Sequence, residues 1–258
     1  MTIRIGIAGI TGRMGREVAA LAATDPAFEL VGGVSRHVGN GAMAASNGVK
    51  LVPHAAELLA DIDVLVDFSA PAATTCHARA CLIAGVPLVC GTTGLDTEQV
   101  DDLRAAAQCV AVFHAANMSP GVNAMLAALP ALVQALAGYD LEIVETHHRH
   151  KVDAPSGTAL ALARIAAEAS GAPLDERARH GRVGASLRQA EEIGMHAVRG
   201  GGNPGEHAVI LASDGEEIRL SHRSFSRAAY AHGALKATRL ILNQPPGWYE
   251  PATLPGFL

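Results

Sequence analysis

Residues 2–23 set the first constraint on this chain. Thr2 to Ala8 reads as a buried strand through Ile3, Ile5 and Ile7. It runs into Gly9-Ile10-Thr11-Gly12-Arg13-Met14-Gly15 and then a helical stretch to about Ala23. Strand, glycine turn and helix in that order form the setting of a dinucleotide-binding fingerprint. The spacing is Gly-x-x-Gly-x-x-Gly, and Thr11 stands where a middle glycine is usual. A plain tight turn would look the same in isolation, so the rest of the chain has to decide.

The first half continues the alternation. Strands are expected at 2–8, 28–34, 62–68, 86–90 and 109–113, with a shorter one near 50–52; helices are expected at 12–23, 54–60, 71–84 and 96–107. Such alternation implies an α/β fold, a Rossmann-type doubly wound parallel sheet with helices on both faces. Ligands of these sheets sit at the carboxyl ends of the strands. Small, polar or glycine residues fall at five such ends: Gly9 to Gly15, Ser35-Arg36-His37, Phe68-Ser69-Ala70-Pro71, Gly91-Thr92-Thr93-Gly94 and Ala115-Ala116-Asn117-Met118. An NAD site usually carries Asp or Glu at the end of the second strand. Here Ser35, Arg36 and His37 offer a hydroxyl, a guanidinium and an imidazole, which suit a 2′-phosphate. NADPH is therefore expected ahead of NADH.

From about Ser119 the pattern changes. A helix is expected over 119–137, then a long strand over 140–150, a helix over 156–169, and strands near 193–199, 206–213 and 216–222. The late strands follow one another without helices, which points to an antiparallel or mixed sheet. Gly200 to Gly205 reads as a flexible turn or lid between two of them. A final helix over 226–243 is expected to return to the first domain. Residues 1–118 and 228–258 would then form the dinucleotide-binding domain. Residues 119–227 would form an inserted α+β domain with a mixed sheet.

The chemistry concentrates in Glu145-Thr146-His147-His148-Arg149-His150-Lys151-Val152-Asp153-Ala154-Pro155-Ser156-Gly157-Thr158. Five consecutive positions carry three histidines, an arginine and a lysine. A packed core has no use for so many unpaired cations. Such a cluster suits an anionic ligand and a proton donor near neutral pH. Ser156 is a good N-cap, and the amides of Gly157 and Thr158 would open the first turn of a helix to an anion.

With 258 residues, 49% of them hydrophobic, the chain can bury a sizeable core. A formal net charge of -5 argues against nucleic acid as a general partner. No apolar run approaches the ~20 residues of a membrane helix, and with a strand at the very start no signal peptide is expected. A cytoplasmic protein is expected. Cys76, Cys81, Cys90 and Cys109 form no Cys-x-x-Cys pair and read as buried reduced thiols. No metal site is expected, since no His-Glu-x-x-His helix occurs.

Taken together, the chain resembles the dihydrodipicolinate reductase family of lysine and diaminopimelate biosynthesis over its whole length. Carriers are Gly9 to Gly15, Gly91-Thr92-Thr93-Gly94, Ala116-Asn117-Met118-Ser119 and the stretch from Glu145 to Ala159. Val198-Arg199-x-Gly201, Gly205-Glu206-His207 and Ser221-His222-Arg223 also fit. The resemblance implies a two-domain reductase, a homotetramer built through the mixed sheets, that reduces 4-hydroxy-tetrahydrodipicolinate with loss of water. The substrate would be a small cyclic imine with two carboxylates, bound without nucleic acid or membrane. NADPH, or NADH, would lie on Gly9, Ile10, Thr11, Gly12, Arg13, Met14, Arg36, Gly91, Thr92, Thr93, Ala115, Ala116, Asn117 and Met118. His147 and Lys151 would be the acid/base and proton-donor groups. His148, Ser156, Gly157 and Thr158 would hold substrate, with Thr93 and Arg227 as further candidates. The chain departs from the family at Ile10 and Thr11 and at Ser35, which replaces an acid found in NADH-using members.

Three rivals share some of these features. A phosphorylating semialdehyde dehydrogenase needs a cysteine in a polar site. A non-catalytic NADPH sensor would leave His147 to Lys151 without a task. A metal hydrolase would have to use adjacent histidines that point to opposite faces of a strand.

Overall fold

The computed structural model describes residues 2–36 and 49–258. His37 lies outside the described residues. The chain divides into two compact units, Met1–Pro120 with Arg227–Leu258, and Gly121–Ser226.

The first unit is built on seven parallel strands. They are β1 (Ile3–Ala8), β2 (Phe28–Val34), β3 (Lys50–Val52), β4 (Val64–Asp67), β5 (Leu88–Cys90), β6 (Ala111–His114) and β12 (Gly247–Tyr249). Their order across the sheet is β12-β6-β5-β4-β1-β2-β3, so strand order reverses at β1. A crevice at that reversal is where such sheets take ligands. The helices are α1 (Arg13–Thr24), α2 (Pro71–Ala84), α3 (Thr97–Ala106) and α7 (Ala228–Ile241). Successive side chains of a strand face opposite sides, and the core follows that rule. Ile5, Ile7, Val64, Val66, Val89 and Phe113 pack with Val18, Ala22, Ala234 and Ile241 from α1 and α7. Leu65, Leu88, Cys90 and Val112 pack on the other face with Ala78, Cys81 and Leu103 from α2 and α3.

In the second unit, α4 (Pro120–Ala135), which begins at the last residue of the first, and α5 (Gly157–Ala169) cover a five-stranded sheet. A short helix, α6 (Leu174–Arg177), precedes β8 (Ala178–His180). The other strands are β7 (Asp140–His147), β9 (Ile193–Arg199), β10 (Glu206–Ala212) and β11 (Glu217–Arg223). The order is β11-β10-β7-β9-β8. β7 runs parallel to β9 and antiparallel to β10, which makes the sheet mixed. Leu141, Ile143, Ile193, Met195, Val209 and Leu211 form the core under the two helices.

Several expectations change. Residues 54–60 form a 3-10 turn at Ala55–Glu57 rather than a full helix. β7 stops at His147, not 150, because the next residues turn back under Gly200–Gly205. That glycine segment joins strands on opposite sides of β7, so it passes over the end of β7 and makes no hairpin. The proline-rich tail contributes β12 and the buried Leu254 and Phe257, whose ring lies 5.1 Å from that of Phe113. The cysteines divide two and two. Cys81 and Cys90 are buried as expected, but Cys76 and Cys109 are exposed. Cys76 sits on the outward side of α2, and Cys109 falls in the turn before β6.

Candidate active site

Register builds the basic site in the second unit. Along β7 burial alternates, and Leu141, Ile143, Glu145 and His147 all face inward. Two core hydrophobes are thus followed on the same face by a carboxylate and an imidazole. The parallel pairing sets Arg199 beside His147, and the antiparallel pairing sets His207 beside Glu145. Side chains directly across a sheet share a face. Four polar groups therefore meet where the core ends.

Glu145, 1% exposed, is the hub. Its Oε2 accepts from His147 Nδ1 at 2.5 Å and from Arg199 at 2.8 Å. Its Oε1 accepts from Arg199 at 2.6 Å and from the Ser156 amide at 3.0 Å. Arg199 also donates to the carbonyl of Asp153 at 2.6 Å. Burial works to raise the Glu145 pKa, but the Arg199, His147 and Ser156 hydrogen bonds outweigh it and hold it low. Burial lowers the pKa of His147, Glu145 pulls the other way, and Lys151 and Arg199 add to the lowering. Crowded cations thus act on His147, as secondary contributors behind desolvation.

The end of β7 is fastened from above. Gly200 donates to the His147 carbonyl at 3.0 Å, and His148 and Arg149 donate to the carbonyls of Asn203 and Gly201 at 2.8 and 3.2 Å. His148, the first residue after β7, is part-buried. Lys151 is held in place, its Nζ 2.8 and 2.9 Å from the carboxylate oxygens of Asp153.

Helix α5 starts beside this cluster. Ser156 is its N-cap, 2% exposed, and accepts from the Ala159 amide at 3.2 Å. The same hydroxyl lies 2.9 Å from His207 Nε2. Burial, reinforced by His147, depresses the His207 pKa to about 4, so that ring is neutral at pH 7. The first amides of a helix have no partner within it, and no acidic residue occupies the first turn of α5. A Cβ at Gly157 would meet nothing within 4 Å, so open space fronts this end of the helix. His147, Lys151, Ser156, Gly157 and Thr158 thus gather at one end of one sheet. Sequence reasoning gave no role to Glu145, Arg199, His207 or Asp153. Period-two alternation from Ile143 could have found Glu145, and Asp153 lies only two residues from Lys151; Arg199 and His207 needed the pairing.

In the first unit the sequence-predicted strand ends stand along one edge. Each loop's first amide bonds to a neighbouring strand's last carbonyl: Gly9 to Val34 at 3.0 Å, Phe68 to Ala8 at 3.1 Å, Gly91 to Asp67 at 2.9 Å, and Ala115 to Cys90 at 3.1 Å. Gly9 has φ +75, a left-handed conformation that favours glycine. A Cβ on Gly15 would stand 2.2 Å from the Gly9 carbonyl, so the glycine lets α1 approach the turn. Gly12 is the N-cap of α1, with no side-chain cap and no acid in the first turn. That end fits a dinucleotide's phosphates. Arg13 and Arg36 are exposed beside it, and Thr11 lies 3.2 Å from Ser35 through their hydroxyls.

Other predicted cofactor residues have their side chains turned inward. Ile10, Ala115 and Met118 belong to the core. Met14 packs against it and Asn117 is part-buried, whereas Thr93 and Ala116 are exposed. Thr92 is buried, accepts from Thr74 at 3.0 Å and donates to Asp67 at 3.3 Å. Asp67, 0% exposed, also accepts from the Ser69 amide at 2.8 Å and lies 2.9 Å from His77 Nδ1. Burial opposes its ionisation, but the His77 contact prevails and lowers its pKa. Cys90 beneath this edge is no nucleophile, because burial pushes its thiol up to about 12.

Comparison with known proteins agrees across both units. The family model described as dihydrodipicolinate reductase, N-terminus, matches residues 3–118, and the C-terminus model matches 121–254. A 4-hydroxy-tetrahydrodipicolinate reductase of Thiobacillus denitrificans is 43% identical over 259 residues, with 97% of each chain covered. Another, from Rubrobacter xylanophilus, is 46% identical over 255 residues, with 96% of each covered. Among solved structures, the dipicolinate-bound dihydrodipicolinate reductase from Paenisporosarcina sp. TG-14 superposes with a TM-score of 0.79 at 26% identity. It covers 97% of this chain and 98% of that one. An amine dehydrogenase from Mycobacterium smegmatis, at 14% identity and a TM-score of 0.66, shares the fold alone. The two family models together cover both units, the relatives match over nearly the whole chain, and the chain belongs to the dihydrodipicolinate reductase family.

Proposed function

We propose that this chain is the NAD(P)H-dependent reductase that converts 4-hydroxy-tetrahydrodipicolinate to tetrahydrodipicolinate. Hydride and one proton enter and water leaves, which balances the reaction. The observation that carries the reading is the buried Glu145–His147 pair, fixed by Arg199 beside the start of α5. A sensor that only bound cofactor would have no use for it. Residues 1–118 and 228–258 would form the dinucleotide-binding domain and 119–227 the substrate-binding and oligomerisation domain, bounds that lie within two residues of those of the compact units.

The nicotinamide would supply the hydride. Gly9, Ile10, Thr11, Gly12, Arg13 and Met14 would hold the cofactor through the turn's backbone and the first amides of α1. Gly91, Thr92, Thr93 and Ala115 to Met118 would add the neighbouring loops. Arg36 and Ser35 offer charge and hydroxyl to a 2′-phosphate, so NADPH is the preferred cofactor. On the substrate side, one carboxylate would take the amides of Gly157 and Thr158 beside Ser156, and His148 and Lys151 would offset its charge. Fixing the ring in this way makes the transfer effectively intramolecular. His147 would deliver the proton that neutralises charge developing across the imine. Lys151, steadied by Asp153, is the second donor. The assembly would be a cytoplasmic homotetramer.

The test is NADPH oxidation with substrate generated from pyruvate and aspartate semialdehyde by the preceding synthase, run beside NADH. Turnover that depends on the synthase product supports the reductase. NADPH binding without turnover would favour the sensor. Arg36→Ala should weaken NADPH about tenfold, as expected for one lost charge-assisted contact, and leave NADH within about twofold. An unchanged ratio of the two affinities would refute the role of Arg36.

A further inference from the structure

The hub of the basic site has no stabilising reason to be a carboxylate. Position 145 continues the inward row of Leu141 and Ile143, and an apolar side chain would fill it without charge. Burying an ion pair is often no better for stability than packing a hydrophobe of similar size. Yet Glu145 accepts four hydrogen bonds, two to each oxygen, and this saturates a carboxylate. Arg199 grips both oxygens at once, a planar bidentate geometry that allows little rotation. Beyond that pair it donates to the Val198 carbonyl of its own strand and to the Asp153 carbonyl, which ties the Asp153 loop to the same guanidinium. One carboxylate thereby fixes the strand end at His147, the loop that carries Lys151, and the amide that opens the turn into α5.

We infer that Glu145, locked by Arg199, is the positioning residue that fixes His147 with its proton on Nδ1 and presents Nε2 as the proton-transfer atom, while holding the Ser156 amide that starts the anion cradle. This inference rests on the reductase reading above and deepens it. The 2.5 Å contact between Nδ1 and Oε2 joins a nitrogen to an ionised acceptor. Nδ1 must therefore be the protonated nitrogen of the neutral ring. Nε2 is left to carry the second proton of the imidazolium and to release it. In this arrangement Glu145 touches neither substrate nor cofactor, and it acts through His147.

The charges around His147 give a readout that mere structural damage does not. Glu145 on its own strand supports the imidazolium. Lys151 from the following turn and Arg199 from β9 stand against it, the neutral His207 ring from β10 packs on it edge to face, and Asp153 is occupied by Lys151. Glu145→Gln keeps the size of the side chain and removes the one supporting charge among these neighbours. If protonated His147 is the donor, kcat falls as pH rises through its pKa, so in the variant that fall moves to lower pH. An opposite charge at this range is worth about one pH unit or more, and loss of an oriented donor about a hundredfold in kcat.

The experiment compares kcat against pH for wild type and Glu145→Gln, together with NADPH affinity and melting temperature. A hundredfold lower kcat, a limb displaced downward by about one unit and NADPH affinity within twofold support the positioning role. Wild-type kcat, or a lowered kcat with an unmoved limb, overturns it. Should Glu145→Gln fail to fold, ring-nitrogen NMR of the wild-type chain decides, with the His147 signals assigned through His147→Gln. A neutral ring protonated on Nδ1 supports the inference, and one protonated on Nε2 overturns it. Absence of wild-type turnover with synthase product would instead count against the reductase reading, and the NMR result would still judge the Glu145–His147 geometry.

Discussion

Each unit carries one buried carboxylate at a strand end with a histidine Nδ1 against it: Asp67 with His77 at 2.9 Å, and Glu145 with His147 at 2.5 Å. The motifs match, but their surroundings do not. Asp67 is completed by neutral groups, the Ser69 amide and the Thr92 hydroxyl, and Thr92 belongs to the loop that follows β5. Glu145 is completed by a guanidinium, and its histidine stands among Lys151, Arg199 and His207. The first arrangement pins two loops of the cofactor edge. The second holds a ring whose imidazolium is disfavoured by burial and by neighbouring cations, which is what a proton donor requires. A carboxylate–histidine pair therefore has no fixed meaning; the charges one layer out decide its work.

The sharpest way to break this contrast is to remove each histidine. His147→Gln should lower kcat by about 10²- to 10⁴-fold, the range of a general acid, in steady-state assays. A kcat within a few-fold of wild type would place both pairs in the structural class. His77→Ala should act on stability. It leaves Asp67 buried without its main partner, at a cost of about 3 kcal/mol or more, measured by urea unfolding. It should also loosen the Thr92 loop and weaken NADPH several-fold. A stable variant with unchanged affinity would contradict the pinning role.

Smaller effects sharpen the second pair. Ser156→Ala removes the cap of α5 and the partner of His207 Nε2. Loss of a cap costs about 1 kcal/mol, and KM for the imine should rise more than kcat falls. His207 supplies a pH signature. Its folded pKa is about 4 against the usual 6.5, so the unfolded chain takes up the proton first. Its contribution is complete above about pH 6.5 and is lost as pH falls toward 4, by up to about 3 kcal/mol. Melting temperatures across that window should fall in wild type and fall less in His207→Gln.

Much of this was legible locally. The strand-end edge follows from alternating strands and helices, and the Ser156 cap was readable because a cap is a property of four adjacent residues. Inward placement of His147 follows from period two. What periodicity could not supply was partnership between distant positions. Arg199 lies 54 residues from Glu145, and its place depends on β9 joining β7 in parallel. The same gap left Gly200–Gly205 as a flexible turn or lid between two strands, with nothing to show that it crosses the end of β7. It hid β12 as well, because prolines mark breaks and say nothing about three residues that pair with β6. Exposure of Cys76 and Cys109 was missed because an apolar neighbourhood in sequence does not fix which way a residue faces.

The division of labour between the two pairs is tested most directly by calorimetric titration of NADPH into His147→Gln. An affinity within about twofold of wild type, in a protein whose turnover has collapsed, is the expected result. A dissociation constant that rises in step with the lost turnover would contradict it, because the imidazole would then be serving the cofactor site and not the chemistry.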